Sequence, residues 1–186
     1  MQIVSEGSNK FLRINKTASG GNTRFITSLT EEKNKDANLA VFEARVRYNF
    51  ASADAAKPNA ATNMFFIKDK NTKDIAFEFQ FNVEGGKIVF YTVAAGGTDY
   101  TTDKTETNIA SNDWFDLRIE YADGGVLTVY ANGNKVLESA NYYTQSAAAL
   151  DASEIDSAWF VPFGNVTGNF DFDSYAFYHV WRRGFS

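Results

Sequence analysis

The chain has 186 residues, a net charge of −5 and a pI of about 4.9, with no Cys and one His. The lack of Cys excludes disulfides, iron–sulfur clusters, Cys-based zinc sites and thiol nucleophiles. An acidic balance without a basic block argues against a nucleic-acid binder, because phosphate neutralisation supplies most of the affinity in that class. No run of about 18 apolar residues is present, so no membrane span is predicted.

Three segments alternate apolar and polar residues with a period of two: Leu39–Phe50, Ile75–Val83 and Asp113–Tyr121. This pattern is typical of antiparallel strands with one buried and one solvated face. Further candidate strands, separated by Gly- and Asn-containing turns, are Lys10–Asn15, Thr23–Leu29, Met64–Lys70, Lys87–Val93, Gly125–Ala131 and Asn169–Trp181. About nine or ten strands without a helical crossover predict an all-β fold, an antiparallel sandwich of two sheets.

Two stretches interrupt the strand pattern. Residues 94–110 and 138–158 are predicted to be long loops, and the second contains a candidate helical turn at Ala147–Leu150. No interdomain linker is apparent, so residues 1–186 are expected to form a single domain. The first residues carry no export signal and are strand-like, which favours a domain excised from a larger exported protein.

The polar sides of the alternating strands carry the most informative side chains. They are Arg45, Arg47, Glu78, Gln80, Asn82, Arg118 and Glu120. If these strands are neighbours, the planar amide, carboxylate and guanidinium groups form a groove suited to sugar hydroxyls. The alternative is a set of cross-strand ion pairs on a solvated sheet.

Four aromatic residues lie outside the clear strand pattern: Tyr100, Tyr142, Tyr143 and Trp159. A flat ring beside a groove can stack on the apolar face of a pyranose, so these residues are candidate glycan contacts. The alternative is that they pack onto the sandwich. Trp114 and Trp181 are different cases, since Trp114 is expected to pack and Trp181 to end the last strand.

Several segments, taken in order, suggest a known family. They are Asn9–Ile14, Phe42–Arg47, Trp114–Tyr121, Leu127–Gly133 and Phe172–Phe177. Together they resemble the concanavalin A-like lectin/glucanase superfamily, especially the laminin-G-like jelly-roll modules of bacterial surface and polysaccharide-processing proteins. The resemblance implies a jelly roll of two curved antiparallel sheets and an extracellular or cell-surface location. It also implies a structural calcium ion, for which Glu6, Asp171 and Asp173 are the candidate ligands, because the terminal strands of a jelly roll tend to be adjacent.

Signals for catalysis are incomplete. Glu154-Ile155-Asp156 resembles part of the glucanase signature, but the further Glu of that signature is missing. Glu78 and Glu120 are a second candidate pair, if they face each other across the groove. His179 is the residue type of a lyase base, although a single His in a terminal strand is usually packed.

Three functions therefore remain open, and the first is favoured. The protein is predicted to be a non-catalytic carbohydrate-binding or adhesion module whose partners are a glycan and the other domains of its parent protein. The alternatives are a glycoside hydrolase or polysaccharide lyase of the same fold, and a structural spacer. If calcium is bound, chelation should lower the melting temperature.

Overall fold

A computed structural model describes residues 1–17, 25–52, 62–67, 75–92, 104–139, 150–162 and 166–183. The strands of these residues are β1 (Gln2–Glu6), β2 (Asn9–Lys16), β3 (Phe25–Ser28), β4 (Leu39–Ser52), β5 (Thr62–Ile67), β6 (Ile75–Glu84), β7 (Lys87–Thr92), β8 (Lys104–Ala110), β9 (Trp114–Ala122), β10 (Val126–Ala131), β11 (Asn134–Ser139), β12 (Ser157–Pro162) and β13 (Val166–Val180). A single 3-10 turn, Ala152–Glu154, accompanies them within the described ranges. None of the helical structure described is long and apolar enough to cross a membrane.

The strands form two antiparallel sheets. Sheet A has the order β1-β2-β13-β4-β9-β10-β11, and sheet B has the order β3-β12-β5-β6-β7-β8. The meander β5 to β8 fills one side of sheet B, whereas β13 is inserted between β2 and β4 in sheet A. The predicted all-β sandwich of two antiparallel sheets is therefore confirmed.

Aromatic side chains join the two sheets. Phe160 of sheet B lies 5.2 Å from Phe42 and 5.4 Å from Phe170 of sheet A, measured between ring centroids. All three side chains are fully buried. The apolar halves of β4 and β9 thus supply the core, as the period-two pattern predicts, and their polar halves face outward.

Tight turns lie where the Gly- and Asn-containing segments predict them. Between β6 and β7, Gly85 and Gly86 have φ of +56° and +78°. Between β10 and β11, Asn132 and Gly133 have φ of +50° and +77°. Residue types that accept positive φ are required here, because two-residue hairpin turns need it.

Strand β1 covers the strand-like first residues, whereas β8, β11 and β12 were absent from the sequence prediction. All six residues of β12 are buried, so that strand shows no alternation for a period-two test to detect. Strand β8 is a largely polar edge strand inside the stretch predicted to be a loop. The helical turn predicted at 147–150 falls mostly outside the described residues, and the observed 3-10 turn begins at Ala152.

Candidate functional site

The two sheets divide the polar residues that the sequence placed in one groove. Arg45 and Arg47 lie on β4 and Arg118 on β9, which are neighbours in sheet A. Glu78 and Gln80 lie on β6, in sheet B. On β4 and β9 the polar side that alternation predicts faces outward, but the polar residues of the two sheets do not form one groove. For the same reason Glu78 and Glu120 do not face each other across one groove.

The outward face of sheet A carries a groove of about 790 Å³ that crosses β13, β4, β9 and β10. Its polar and aromatic lining is Glu43, Arg45, Asp116, Arg118, Glu120, Tyr130, Ser174, Tyr175 and Arg182. The strand register produces this set, since Arg45 lies opposite both Asp116 and Ser174, and Arg118 opposite both Glu43 and Tyr130.

Ion pairs hold the side chains of this groove in place. Arg118 donates to Glu43, and its Nε donates to Oε1 of Glu120 at 2.8 Å. Nη2 of Arg182 donates to the same Glu120 oxygen at 3.0 Å. Burial opposes the charge of Arg118, but Glu120 and Glu43 outweigh it and raise the pKa of the guanidinium, which therefore stays protonated. The cross-strand ion pairs that the sequence offered as the alternative interpretation are present.

The pair formed by Arg45 and Asp116 is more open. Nη1 of Arg45 donates to Oδ1 of Asp116 at 3.1 Å, and the two side chains are 48% and 69% exposed. A guanidinium has five N–H donors and a carboxylate accepts several hydrogen bonds. This pair therefore presents donors and acceptors to whatever enters the groove.

Tyr130 adds aromatic surface to the groove and is half-buried. Tyr175 borders the groove as well, but it pairs with core residue Ala44 and its ring lies 6.4 Å from that of buried Phe42. The ring of Tyr175 is therefore on the inner side of sheet A, although 43% of the residue is exposed. A β-bulge with Asp173 as the extra residue shifts the alternation of β13 and places the ring there, which the sequence pattern does not reveal.

Beside the groove, Arg47 is the centre of a rigid cluster. Its guanidinium carbon lies 5.0 Å from the ring centroid of Phe11 and 4.7 Å from that of Trp114. Its Nε donates to Asp171 at 2.9 Å, and its Nη2 donates to Glu6 at 2.8 Å. Trp114 thus packs, as expected. Arg47 is 9% exposed and its guanidinium is occupied by these contacts within the protein.

The three predicted calcium ligands do not fit a cation in this arrangement. Both carboxylate oxygens of Asp171 accept hydrogen bonds from Arg13, at 2.7 and 2.8 Å, and those of Glu6 accept from Arg47. Asp173 is exposed at the bulge. Glu6 and Asp171 lie close enough together for Arg47 to donate to both, so an arginine supplies the positive charge between them. Among the residues that the structure describes, no group of three or more His, Cys, Asp or Glu side chains is arranged to hold a metal.

The remaining sequence candidates belong to sheet B or lie outside the described residues. Gln80 and Trp159 are 6% and 7% exposed, and Trp159 alternates with core residues Ala158 and Phe160. Glu78 on β6 pairs in register with Phe65 on β5, which pairs with Trp159 on β12, so the three positions form one row across sheet B. The side chain of Glu78 lies outside the described part of the structure. Tyr100, Tyr142 and Tyr143 fall outside the described residues.

His179 is held by the backbone on both sides of its ring. Nδ1 accepts the N–H of Asn34 at 3.1 Å, and Nε2 lies 2.7 Å from the carbonyl oxygen of Ile155, to which it donates in the neutral tautomer. Burial lowers the pKa of this imidazole below its ordinary value of 6.5. The ring thus ties the segment after β3 and the segment before β12 to β13.

The comparisons with known proteins concern the fold. No family model matches the chain, and no curated protein matches its sequence. A carbohydrate esterase from the Shiga toxin-encoding bacteriophage phi24B is similar in structure, with a TM-score of 0.59 and 15% identity over 95% of this chain and 85% of that one. An alginate lyase from Pseudomonas aeruginosa has a TM-score of 0.54 at 11% identity, over 96% and 86% of the two chains. The carbohydrate-binding module CBM66 from Bacillus subtilis has a TM-score of 0.50 at 11% identity, over 95% and 90%.

These similarities extend over nearly the whole described sandwich. The chain shares with these proteins a jelly-roll fold of two antiparallel sheets, which is the fold that the sequence resemblance implied. At these identities the similarity establishes the fold alone, so an argument about function has to start from the groove.

Proposed function

We propose that this protein is a non-catalytic carbohydrate-binding module and that it binds a glycan in the groove on sheet A. The observation that carries the proposal is the groove itself, an open volume of about 790 Å³ lined by the exposed Arg45–Asp116 pair and by Tyr130. That volume is in the range of small-ligand sites. In this proposal the protein acts outside the cell or at its surface, together with other domains.

The Arg45–Asp116 pair suits the chemistry of a sugar. Adjacent hydroxyl groups of a pyranose both donate and accept, so a neighbouring guanidinium and carboxylate can bind them as a fork. The ion pair also holds both side chains in one geometry before the ligand arrives, which reduces the entropy lost on binding. Tyr130 offers apolar ring surface for the C–H face of the sugar.

The charge balance of the groove favours a neutral glycan. Three cationic side chains, Arg45, Arg118 and Arg182, are matched by three anionic ones, Glu43, Asp116 and Glu120. A polyanionic chain would have to compete with these carboxylates for the guanidinium groups. Binding should therefore depend little on salt, since no counterions need to be displaced from the ligand.

Binding without catalysis is the better match to the ion pairs. A glycoside hydrolase uses one carboxyl group as general acid and a second carboxylate as nucleophile or base. In this groove Glu43 and Glu120 both accept from the single guanidinium of Arg118. The names of the three similar structures, which concern a carbohydrate esterase, an alginate lyase and a carbohydrate-binding module, support a carbohydrate-related function of either kind.

A glycan array followed by calorimetric titration tests the proposal. We expect the wild-type protein to bind at least one neutral glycan and Arg45→Ala to weaken that binding by about tenfold or more. Lys135→Ala is the matched control, because it also removes an exposed cation from an ion pair, with Glu138 on β11, but does not line the groove. Absence of any glycan ligand, or an equal loss in the two variants, would refute the proposal.

A further inference from the structure

A second pocket, of about 480 Å³, lies at one end of the groove. It is bounded by edge strand β8 of sheet B, by the start of β9 and by the β10–β11 hairpin of sheet A. The residues that matter here are Asn108 on β8, Trp114 at the start of β9, and Asn132 and Asn134 in the hairpin. We call it the rim pocket.

The rim pocket is lined by several amides beside Trp114. The Trp114 ring itself packs against the guanidinium of Arg47 on β4 and the ring of Phe11 on β2, whose centroid is 5.3 Å away, and so fixes the start of β9. The side-chain oxygen of Asn132 accepts the N–H of Asp116 at 3.0 Å, so the hairpin is fixed against β9. Exposed Asn108 and Asn134 each add an amide that can donate and accept.

The groove and the rim pocket share one hairpin. Gly133 lines the groove, whereas Asn132 and Asn134, on either side of it, line the rim pocket. A ligand that leaves the groove past Gly133 therefore reaches the rim pocket directly.

From this continuity we propose that the rim pocket is a second subsite for the same ligand, which is then a linear, neutral oligosaccharide that crosses the β10–β11 hairpin. The inference rests on the proposed function of the groove. Each site has its own polar groups, which successive sugar rings require for their hydroxyls. Linking two weak contacts in one chain makes the second binding event intramolecular and raises the overall affinity.

Calorimetric titration with neutral oligosaccharides of two lengths separates the two proposals. The probes are the disaccharides and hexasaccharides of the cello-, manno-, xylo- and chito- series. For a series that binds, we expect the hexasaccharide to bind more tightly than the disaccharide. We expect Asn108→Ala and Asn134→Ala each to lower the hexasaccharide affinity by about fivefold. Neither variant should change binding of the disaccharide, Arg45→Ala should weaken both ligands, and Lys135→Ala should weaken neither.

The two variants come from different sheets, so a local disturbance of the hairpin in Asn134→Ala does not explain a loss in Asn108→Ala. Unchanged hexasaccharide affinity in both Asn variants, with a loss in Arg45→Ala, overturns the second subsite and leaves the groove proposal standing. Equal affinity for the two lengths also overturns the second subsite. Failure of every probe to bind the wild-type protein overturns both proposals.

Discussion

The carboxylate of Asp171 accepts a hydrogen bond from Nε of Arg47 at 2.9 Å, on the outward side of sheet A but with only 1% of Asp171 exposed. Arg13 donates to both oxygens of the same carboxylate from the other side. One buried anion thus joins β2, β4 and β13, three adjacent strands of the sheet. Its removal would leave two guanidinium groups close together without the charge that offsets them.

We therefore expect Asp171→Asn to lower the free energy of unfolding by about 3 to 5 kcal/mol, the usual cost of removing one partner from a buried charge cluster. Urea denaturation measures this loss. Asp116→Asn is the control, because Asp116 also pairs with an arginine on this face but is exposed. The control should lie within about 1 kcal/mol of wild type. Similar losses in the two variants would show that burial of Asp171 does not matter.

His179 predicts a pH dependence. Because burial lowers the pKa of His179, the unfolded chain binds its proton at a higher pH than the folded protein does. The contribution of neutral His179 to the free energy of unfolding should be fully present above pH 6.5, the ordinary pKa. As the pH falls below that value, the free energy of unfolding should decrease by at most about 1.4 kcal/mol per pH unit. Urea denaturation between about pH 7.5 and about pH 5.5 measures this slope, above the range in which carboxylates titrate.

The variant His179→Gln checks the origin of that slope. Glutamine keeps polar atoms near Asn34 and Ile155 but does not titrate, so the variant should be less stable at neutral pH. Its stability should then be nearly constant over the same pH range. A slope that persists in the variant would assign the pH dependence to another group.

Gly168 is predicted to be intolerant of any side chain. It has φ of +137°, and a Cβ atom there would lie 1.9 Å from the backbone oxygen of Asn49 on β4. Gly168→Ala should therefore separate β13 from β4 and greatly reduce the yield of folded protein. Gly7→Ala is the control, since Gly7 has φ of +62° and open space around it. It should cost only about 1 to 2 kcal/mol. Equal yields for the two variants would contradict the predicted clash.

Calcium gives the fourth prediction, and the expected result differs from the one that the sequence alone suggests. Since the oxygens of Glu6 and Asp171 accept from arginines, a calcium ion would have to displace guanidinium groups to reach them. We expect the melting temperature to be the same with chelator and with millimolar calcium. Stabilisation by calcium that Asp171→Asn abolishes would restore the site that the sequence predicted.

The sequence predicted the fold well because alternation is a local property. Segments Leu39–Phe50, Ile75–Val83 and Asp113–Tyr121 became β4, β6 and β9 with nearly the same bounds. Strands β8 and β12 were missed for opposite reasons: β8 is polar at an edge, and β12 is buried on both faces. Neither kind of strand carries a strong period-two signal.

The candidate site was harder to predict because it depends on which strands are neighbours. Alternation predicted that Arg45, Arg118 and Gln80 face away from the core. It could not show that the two arginines belong to sheet A and Gln80 to sheet B. The Arg47–Asp171 contact joins residues 124 positions apart, and the bulge at Asp173 moves Tyr175 out of the expected pattern. These features follow from strand order and register, which no local pattern contains.

The insertion of β13 between β2 and β4 also has a consequence for how the chain folds. Residues 166–180 pair with residues 39–52 across more than a hundred intervening positions, so sheet A cannot close by local steps. Until β13 is in place, β2 and β4 each present an unpaired strand edge, which is a template for intermolecular pairing. A topology dominated by such distant contacts folds slowly. The time before β13 is inserted is therefore when this protein is most exposed to aggregation, during synthesis and during refolding alike.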